Sequence, residues 1–210
     1  MKENKFGRLR EQEREARKHL ILDAAEKLFS IKPYDAVSMQ EIADEAGLAK
    51  SSIYTYFPTQ EALFVDAAIR DTDRLLSELE GIAHKDIGSD LGRMINAWID
   101  FFASHESFFR MTAQFMLYGN ISPESIERLN PVTRRMLDIL ENAIRRLHYR
   151  GDARLLAHTL FSALSGILIA YRKYPGRTDE EIRQHMKRIG ENIKEMMEAY
   201  INQSTGNDGG

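Results

Sequence analysis

Apolar positions recur along this chain at helical spacing. Ile21, Ala24, Ala25, Leu28 and Phe29 fall at i, i+3, i+4, i+7 and i+8, the stripe of a helix that buries one face. Pro33 predicts the end of that helix, because its ring clashes with a continuing turn. Ser38-Met39-Gln40-Glu41 reads as a capping box that opens a short helix, and Gly47 closes it. A third helix is predicted from Lys50 to Phe57, ahead of Pro58. A long fourth follows from Thr59 to about residue 80, carrying Leu63, Phe64, Ala67, Leu75, Leu76 and Leu79. Beyond Gly81 the pattern predicts helices over about 89–104, 106–118, 122–147, 152–174 and 178–203. Ser122-Pro123 reads as N-cap plus N1 proline, and Pro131 predicts a kink or break. Thr178-Asp179-Glu180-Glu181 is a second capping box. Strand signals are nearly absent: the only valines are Val37, Val65 and Val132, and no period-2 alternation is sustained. The expected fold is all-α, with a disordered tail over 204–210.

Composition narrows the chemistry. The 210 residues are 43% hydrophobic and contain no cysteine, which excludes disulfide scaffolds, thiol catalysis and Cys-based zinc sites. The first residues lack the apolar core of a secretory signal, and no uninterrupted apolar run suggests a membrane span. A soluble, cytoplasmic protein is therefore expected. The net charge of −3 argues against indiscriminate binding to polyanions. Sorted by position, it divides. Residues 1–18 hold seven basic side chains, Lys2, Lys5, Arg8, Arg10, Arg14, Arg17 and Lys18, against Glu3, Glu11, Glu13 and Glu15. The remaining 192 residues carry −6.

Residues 38–57 have the form of a helix-turn-helix: a capped two-turn helix, a glycine turn and a second short helix, after a longer supporting one. Ile42, Ala43, Ala46, Leu48 and Ile53 are spaced to lock the two short helices together. Lys50, Ser51, Ser52 and Thr55 then fall on the free side, where a recognition helix meets a DNA major groove. Tyr54 and Tyr56 supply hydroxyls for phosphates. On spacing alone, an ordinary helical hairpin inside a bundle stays open as the alternative.

The run Ala25-Glu26-Lys27-Leu28-Phe29, Tyr34, Val37 to Ala43, Ala46 to Phe57 and Glu61-Ala62-Leu63 resembles the tetracycline-repressor (TetR/AcrR) family over residues 20–64. The resemblance implies an all-α homodimer. Residues 1–60 would bind a palindromic DNA operator; residues 61–203, with 59–80 as a linking helix, would bind an effector and dimerise. It implies Ser38 and Gln40 at the phosphate-facing start of the second helix, Lys50, Ser51, Ser52 and Thr55 in the groove, and Tyr54 and Tyr56 on the backbone. Three residues depart from the family's pattern: Pro33 for glycine, Ala49 for a Ser/Thr cap, and Gln60 for a phosphate-binding lysine. Lys50 is then the only cation between residues 33 and 60. The arm, Arg17 included, is expected to supply the missing phosphate contacts. A solvated helix start with ion pairs such as Glu13–Arg17 is the alternative.

Two heptad seams mark the last helices: Leu156, Leu160, Ala163, Ile167, Ala170 and Tyr174, then Ile182, Met186, Ile189, Ile193, Met196 and Tyr200. All but the two tyrosines are the expected homodimer interface, as in a four-helix bundle, with a purely intramolecular hairpin as the alternative. Trp98, Phe102, Phe109, Gln114, Phe115, Tyr118, His158 and Phe161 are the candidate effector site, a Met/aromatic-rich region suited to a small hydrophobic or aromatic molecule. No cofactor, metal or membrane partner is expected, and no catalytic motif of known type occurs. Two alternatives remain: a DNA-binding structural or adaptor protein without an inducer, and a helical-bundle enzyme.

Overall fold

The structure is a computed structural model that describes residues 5–83, 90–118 and 121–206. Those residues form α-helices joined by short turns: α1 (Lys5–Ile31), α2 (Met39–Ala46), α3 (Lys50–Tyr56), α4 (Gln60–Ala83), α5 (Asp90–Ser104), α6 (Glu106–Tyr118), α7 (Pro123–Arg146), α8 (Ala153–Tyr171) and α9 (Asp179–Gly206). A 3₁₀ turn, Tyr34–Ala36, links α1 to α2. There is no strand among the described residues. The all-α expectation holds.

The chain divides into two compact units, residues 1–70 with 106–127 and residues 71–105 with 128–210. In the first, α1 packs on α2 and on α6, and α2 on α3. Its core is Ile21, Ala25, Phe29, Ile42, Ile53, Phe57 and Leu63, each 1% exposed or less. Burying an Ile or Phe side chain contributes about 1.5–3 kcal/mol, so this short list suffices to fix two helices of seven and eight residues. Phe29, Tyr34 and Phe64 meet with ring centroids 4.6–6.0 Å apart.

In the second unit α5 packs on α8 and α9, and α8 on α9. The α5–α9 contact is close because residue 190 is glycine. A Cβ there would stand 2.6 Å from Ile95 Cγ2 and 3.1 Å from Ile99 Cδ1. Arg172, just past α8, is 5% exposed and donates to the Phe102 and Ala103 carbonyls in the last turn of α5.

Four expectations about elements change. Pro131 lies inside α7 without breaking it; the missing N–H forfeits one hydrogen bond, and the flanking helix is long enough to continue. Helix α8 ends at Tyr171, so Tyr174 lies beyond it. Helix α9 runs through Gly206, and Ser204 Oγ donates to the Tyr200 carbonyl at 2.9 Å, so 204–206 is helix rather than disordered tail. Residues 207–210 lie outside the described residues. Last, α8 is 19 residues long with mean hydropathy 1.5, enough by length and composition to cross a membrane, contrary to the expectation that no such segment exists. Its apolarity has a local explanation: Ala153, Leu156, Ala157, Leu160, Leu164, Ile167 and Leu168 are buried in the chain's own core.

Candidate nucleic-acid interface

Helix α2 begins as the sequence predicts. Ser38 Oγ accepts from the Glu41 amide at 3.2 Å, and the Glu41 carboxylate accepts from the Ser38 amide at 2.8 Å. The Lys32 ammonium and those bonds hold the Glu41 carboxyl down at about 2. Gly47 ends α2 at φ 65°, ψ 30°, a left-handed turn that glycine adopts without strain. Its amide and that of Leu48 return to the end of α2, and α3 starts three residues later. Ile42, Ala43 and Ile53 are all fully buried, so the two helices are clamped by their inner faces.

What the clamp leaves outside is the opposite face of α3. Lys50, Ser51, Tyr54 and Thr55 are exposed, and Ser52 and Tyr56 half-buried. Ser38 and Gln40 are exposed as well, but both are engaged within the chain, Ser38 in the capping box and Gln40 with Asp44 Oδ1 at 2.8 Å. Gln60 is more firmly engaged. Its amide donates to the Tyr34 and Val37 carbonyls at 3.0 and 2.6 Å and ties the start of α4 to the turn before α2. Ala49 leaves α3 with no side-chain cap.

The basic arm is a continuation of α1, helical from Lys5. Arg10, Arg14 and Arg17 line one open cleft together with Glu13 and with Thr55 and Tyr56 of α3. At 100° per residue the three arginines fall within about 60° of arc, over about 10 Å of helix axis. All three are exposed, and none makes an ion pair among the described residues; Glu13–Arg17 does not form. Lys18 is different: its ammonium sits 2.9 Å from Asp66 and 5.9 Å from the Phe57 ring centroid. It fastens the arm's base to the core of the unit.

The sequence of the arm-bearing unit matches the model of "Bacterial regulatory proteins, tetR family" over residues 21–67. Over those residues the chain is similar to the tetR family of bacterial regulatory proteins. Its relatives include the HTH-type transcriptional regulator YuxN of Bacillus subtilis, 38% identical over 66 residues. That match covers 31% of this chain and 23% of YuxN, so the chain spans about a quarter of that relative's length. Among solved structures, the TetR-family regulator PfmR of Thermus thermophilus superposes with TM-score 0.63 at 26% identity, over 81% of this chain and 97% of that one. FadR of Bacillus subtilis, in complex with stearoyl-CoA, shares the fold with TM-score 0.69 at 19% identity, over 83% and 96%.

The candidate effector residues separate. Trp98, Phe102 and Phe161 come together in the second unit: Trp98 meets Phe102 at 5.1 Å and Phe161 edge-on at 5.7 Å. Phe109 belongs to the first unit, where it lines a groove of about 170 Å³ with Phe29, Tyr34 and Phe64. His158 is exposed on α8 and does not join the aromatic group. The side chains of Gln114, Phe115 and Tyr118 lie outside the described residues. Ser165, which no sequence pattern marks, is buried on α8 one turn from Phe161. Four residues apart on a helix places them on one face.

The heptad seams also need correction. Leu156, Leu160, Ile167, Ile182 and Met186 are 9% exposed or less within the single chain. They are core, not a surface awaiting a partner. Ala163, Ile189 and Ile193 are half-buried, and Ala170 and Met196 exposed. The apolar side chains left outside are Leu155 and Ile169 on α8, 63% and 40% exposed, and Met196 and Tyr200 on α9, 72% and 52%. A 3.5-residue period marks a buried seam but does not say which of two neighbours buries it. Glu181 and His185, one turn apart, go separate ways: Glu181 closes a capping box with Thr178, and His185 packs edge-on to Tyr171.

Proposed function

We propose that this chain is a transcriptional regulator that binds a palindromic DNA operator as a homodimer and is released by a small hydrophobic or aromatic effector. The observation that carries the reading is the exposed face of α3, Lys50, Ser51, Tyr54 and Thr55, held rigid by a fully buried Ile42–Ala43–Ile53 clamp. A recognition helix must present short polar side chains on a fixed backbone, because base-edge hydrogen bonds tolerate little displacement. The likeness of residues 21–67 to the tetR family supports DNA as the partner and the cytoplasm as the location.

The bonds that engage Ser38 and Gln40 inside the chain move the expected phosphate contacts toward α3 and the arm. Arg17, Arg14 and Arg10 then stand in for the phosphate-binding lysine that Gln60 replaces. The exposed apolar side chains of α8 and α9 suit a second copy of the chain, since two recognition helices one DNA turn apart, about 34–36 Å, read a two-fold operator. The Trp98–Phe102–Phe161 group supports an apolar effector. The FadR neighbour's complex with stearoyl-CoA is an instance of such a ligand on this fold.

The test is selection of bound duplexes from random-sequence DNA with the purified chain. An inverted-repeat site should emerge, and Lys50→Ala should weaken binding to it at least tenfold while leaving the thermal melt unchanged. Recovery of no enriched sequence would refute the reading.

A further inference from the structure

Among the buried polar atoms of the second unit that have no hydrogen-bond partner are Trp98 Nε1 and Ser165 Oγ. Trp98 is 2% exposed and Ser165 is 9% exposed. Unpaired buried donors cost about 1–3 kcal/mol each, and native chains keep few of them. The indole N–H can only donate, so no rearrangement of its own pairs it. A serine in a helix ordinarily returns its hydroxyl to the carbonyl four residues back, as Ser77, Ser104 and Thr159 do in this unit. Ser165 does not. The two groups sit on packed neighbours, α5 and α8, and Phe161 connects them: it touches the Trp98 ring and lies one turn, about 6 Å, before Ser165.

We infer that Trp98 Nε1 and Ser165 Oγ are the polar readers of the effector, and that the effector is an apolar molecule bearing a neutral carbonyl oxygen. This rests on the effector reading above. A carbonyl oxygen has two lone pairs and can accept from two donors. Neither donor carries charge, so an ionised carboxylate would lose its hydration without compensation and is disfavoured. The rings of Trp98, Phe102 and Phe161 take the apolar body. Donors left unpaired without the ligand discriminate more sharply than apolar walls do. A molecule of the same shape lacking the oxygen keeps the desolvation cost and gains nothing.

Trp98 is the chain's single tryptophan, so its fluorescence reports on this site alone. The probes are acetophenone and α-methylstyrene, which match in shape and differ by C=O against C=CH₂. Acetophenone is expected to move the emission to longer wavelength as the indole gains an acceptor, and to bind about tenfold or more tightly than α-methylstyrene. Ser165→Ala is expected to weaken acetophenone several-fold, leave α-methylstyrene unchanged and raise the melting temperature, since it deletes an unpaired buried hydroxyl. Trp98→Phe, followed by calorimetry, should erase the preference between the two probes. Equal affinity for both probes, an emission unmoved by either, or acetophenone binding unaffected by Ser165→Ala would overturn the assignment. Operator binding is measured separately on the wild-type chain. A chain that binds DNA but fails this test loses the carbonyl assignment, and one that passes it but binds no DNA loses the regulator reading.

Discussion

Replacing Arg10, Arg14 and Arg17 together with alanine probes the proposed hold on DNA. The helical arm presents the three guanidinium groups on one face, beside Thr55 and Tyr56 of α3, with no ion pair among the described residues drawing them away. If each neutralises one phosphate, a chain contributes three and a dimer six. The slope of log affinity against log salt would then fall in size by about 0.9 for each contact, about 5 in all. Between 50 and 200 mM salt that difference amounts to about a thousandfold change in how steeply binding weakens. The assay is an anisotropy titration of the selected duplex at several salt concentrations, with wild type and variant in parallel. Alanine favours helix, so the arm should stay helical, which circular dichroism checks. Glu13 lines the same cleft, where its charge would oppose the phosphates of the proposed operator. Glu13→Gln should therefore tighten binding, an outcome no folding defect can mimic. A triple variant with the wild-type salt slope and an intact arm would refute the reasoning.

Three other outcomes follow from the structure. Gly190→Ala drives a methyl against Ile95 and Ile99 and should cost about 1–3 kcal/mol, a fall of a few degrees in melting temperature; Ile95→Ala in the same chain should restore part of it. Glu41, held at about 2 by Lys32 and Ser38, stabilises α2 fully above the ordinary carboxylate range and loses that contribution as pH falls from there toward 2. Acid unfolding of Glu41→Gln should be correspondingly less steep between pH 4.5 and 2, followed by circular dichroism. Ile169→Glu puts a charge on the exposed apolar face of α8 and should yield monomers in sedimentation, whereas the same change at an exposed polar position such as Gln184 should not.

Local rules carried much of this fold. Helix starts at Ser38 and Thr178 follow from capping boxes, and the end of α2 from one glycine, because these signals act within four residues and need no distant partner. The exposed face of α3 was legible for the same reason. Ile53 faces inward, so Lys50, Ser51, Tyr54 and Thr55 fall outward by helix geometry. The arm's excess charge was legible too, but not that it continues α1 as a helix whose arginines share a cleft with α3.

Tertiary structure decided what periodicity leaves open. An apolar stripe shows that a face is buried, not against what. The α8 seam therefore went to the chain's own core, and Leu155 and Ile169 remained outside. Polar side chains are more ambiguous still, since each can bond in several directions. Gln60 commits its amide to two carbonyls, Lys18 its charge to Asp66, and Ser165 its hydroxyl to nothing. Sequence determined which helices form and which side chains share a helix face. Only packing decided which of those faces meet, and which polar groups are left for a partner.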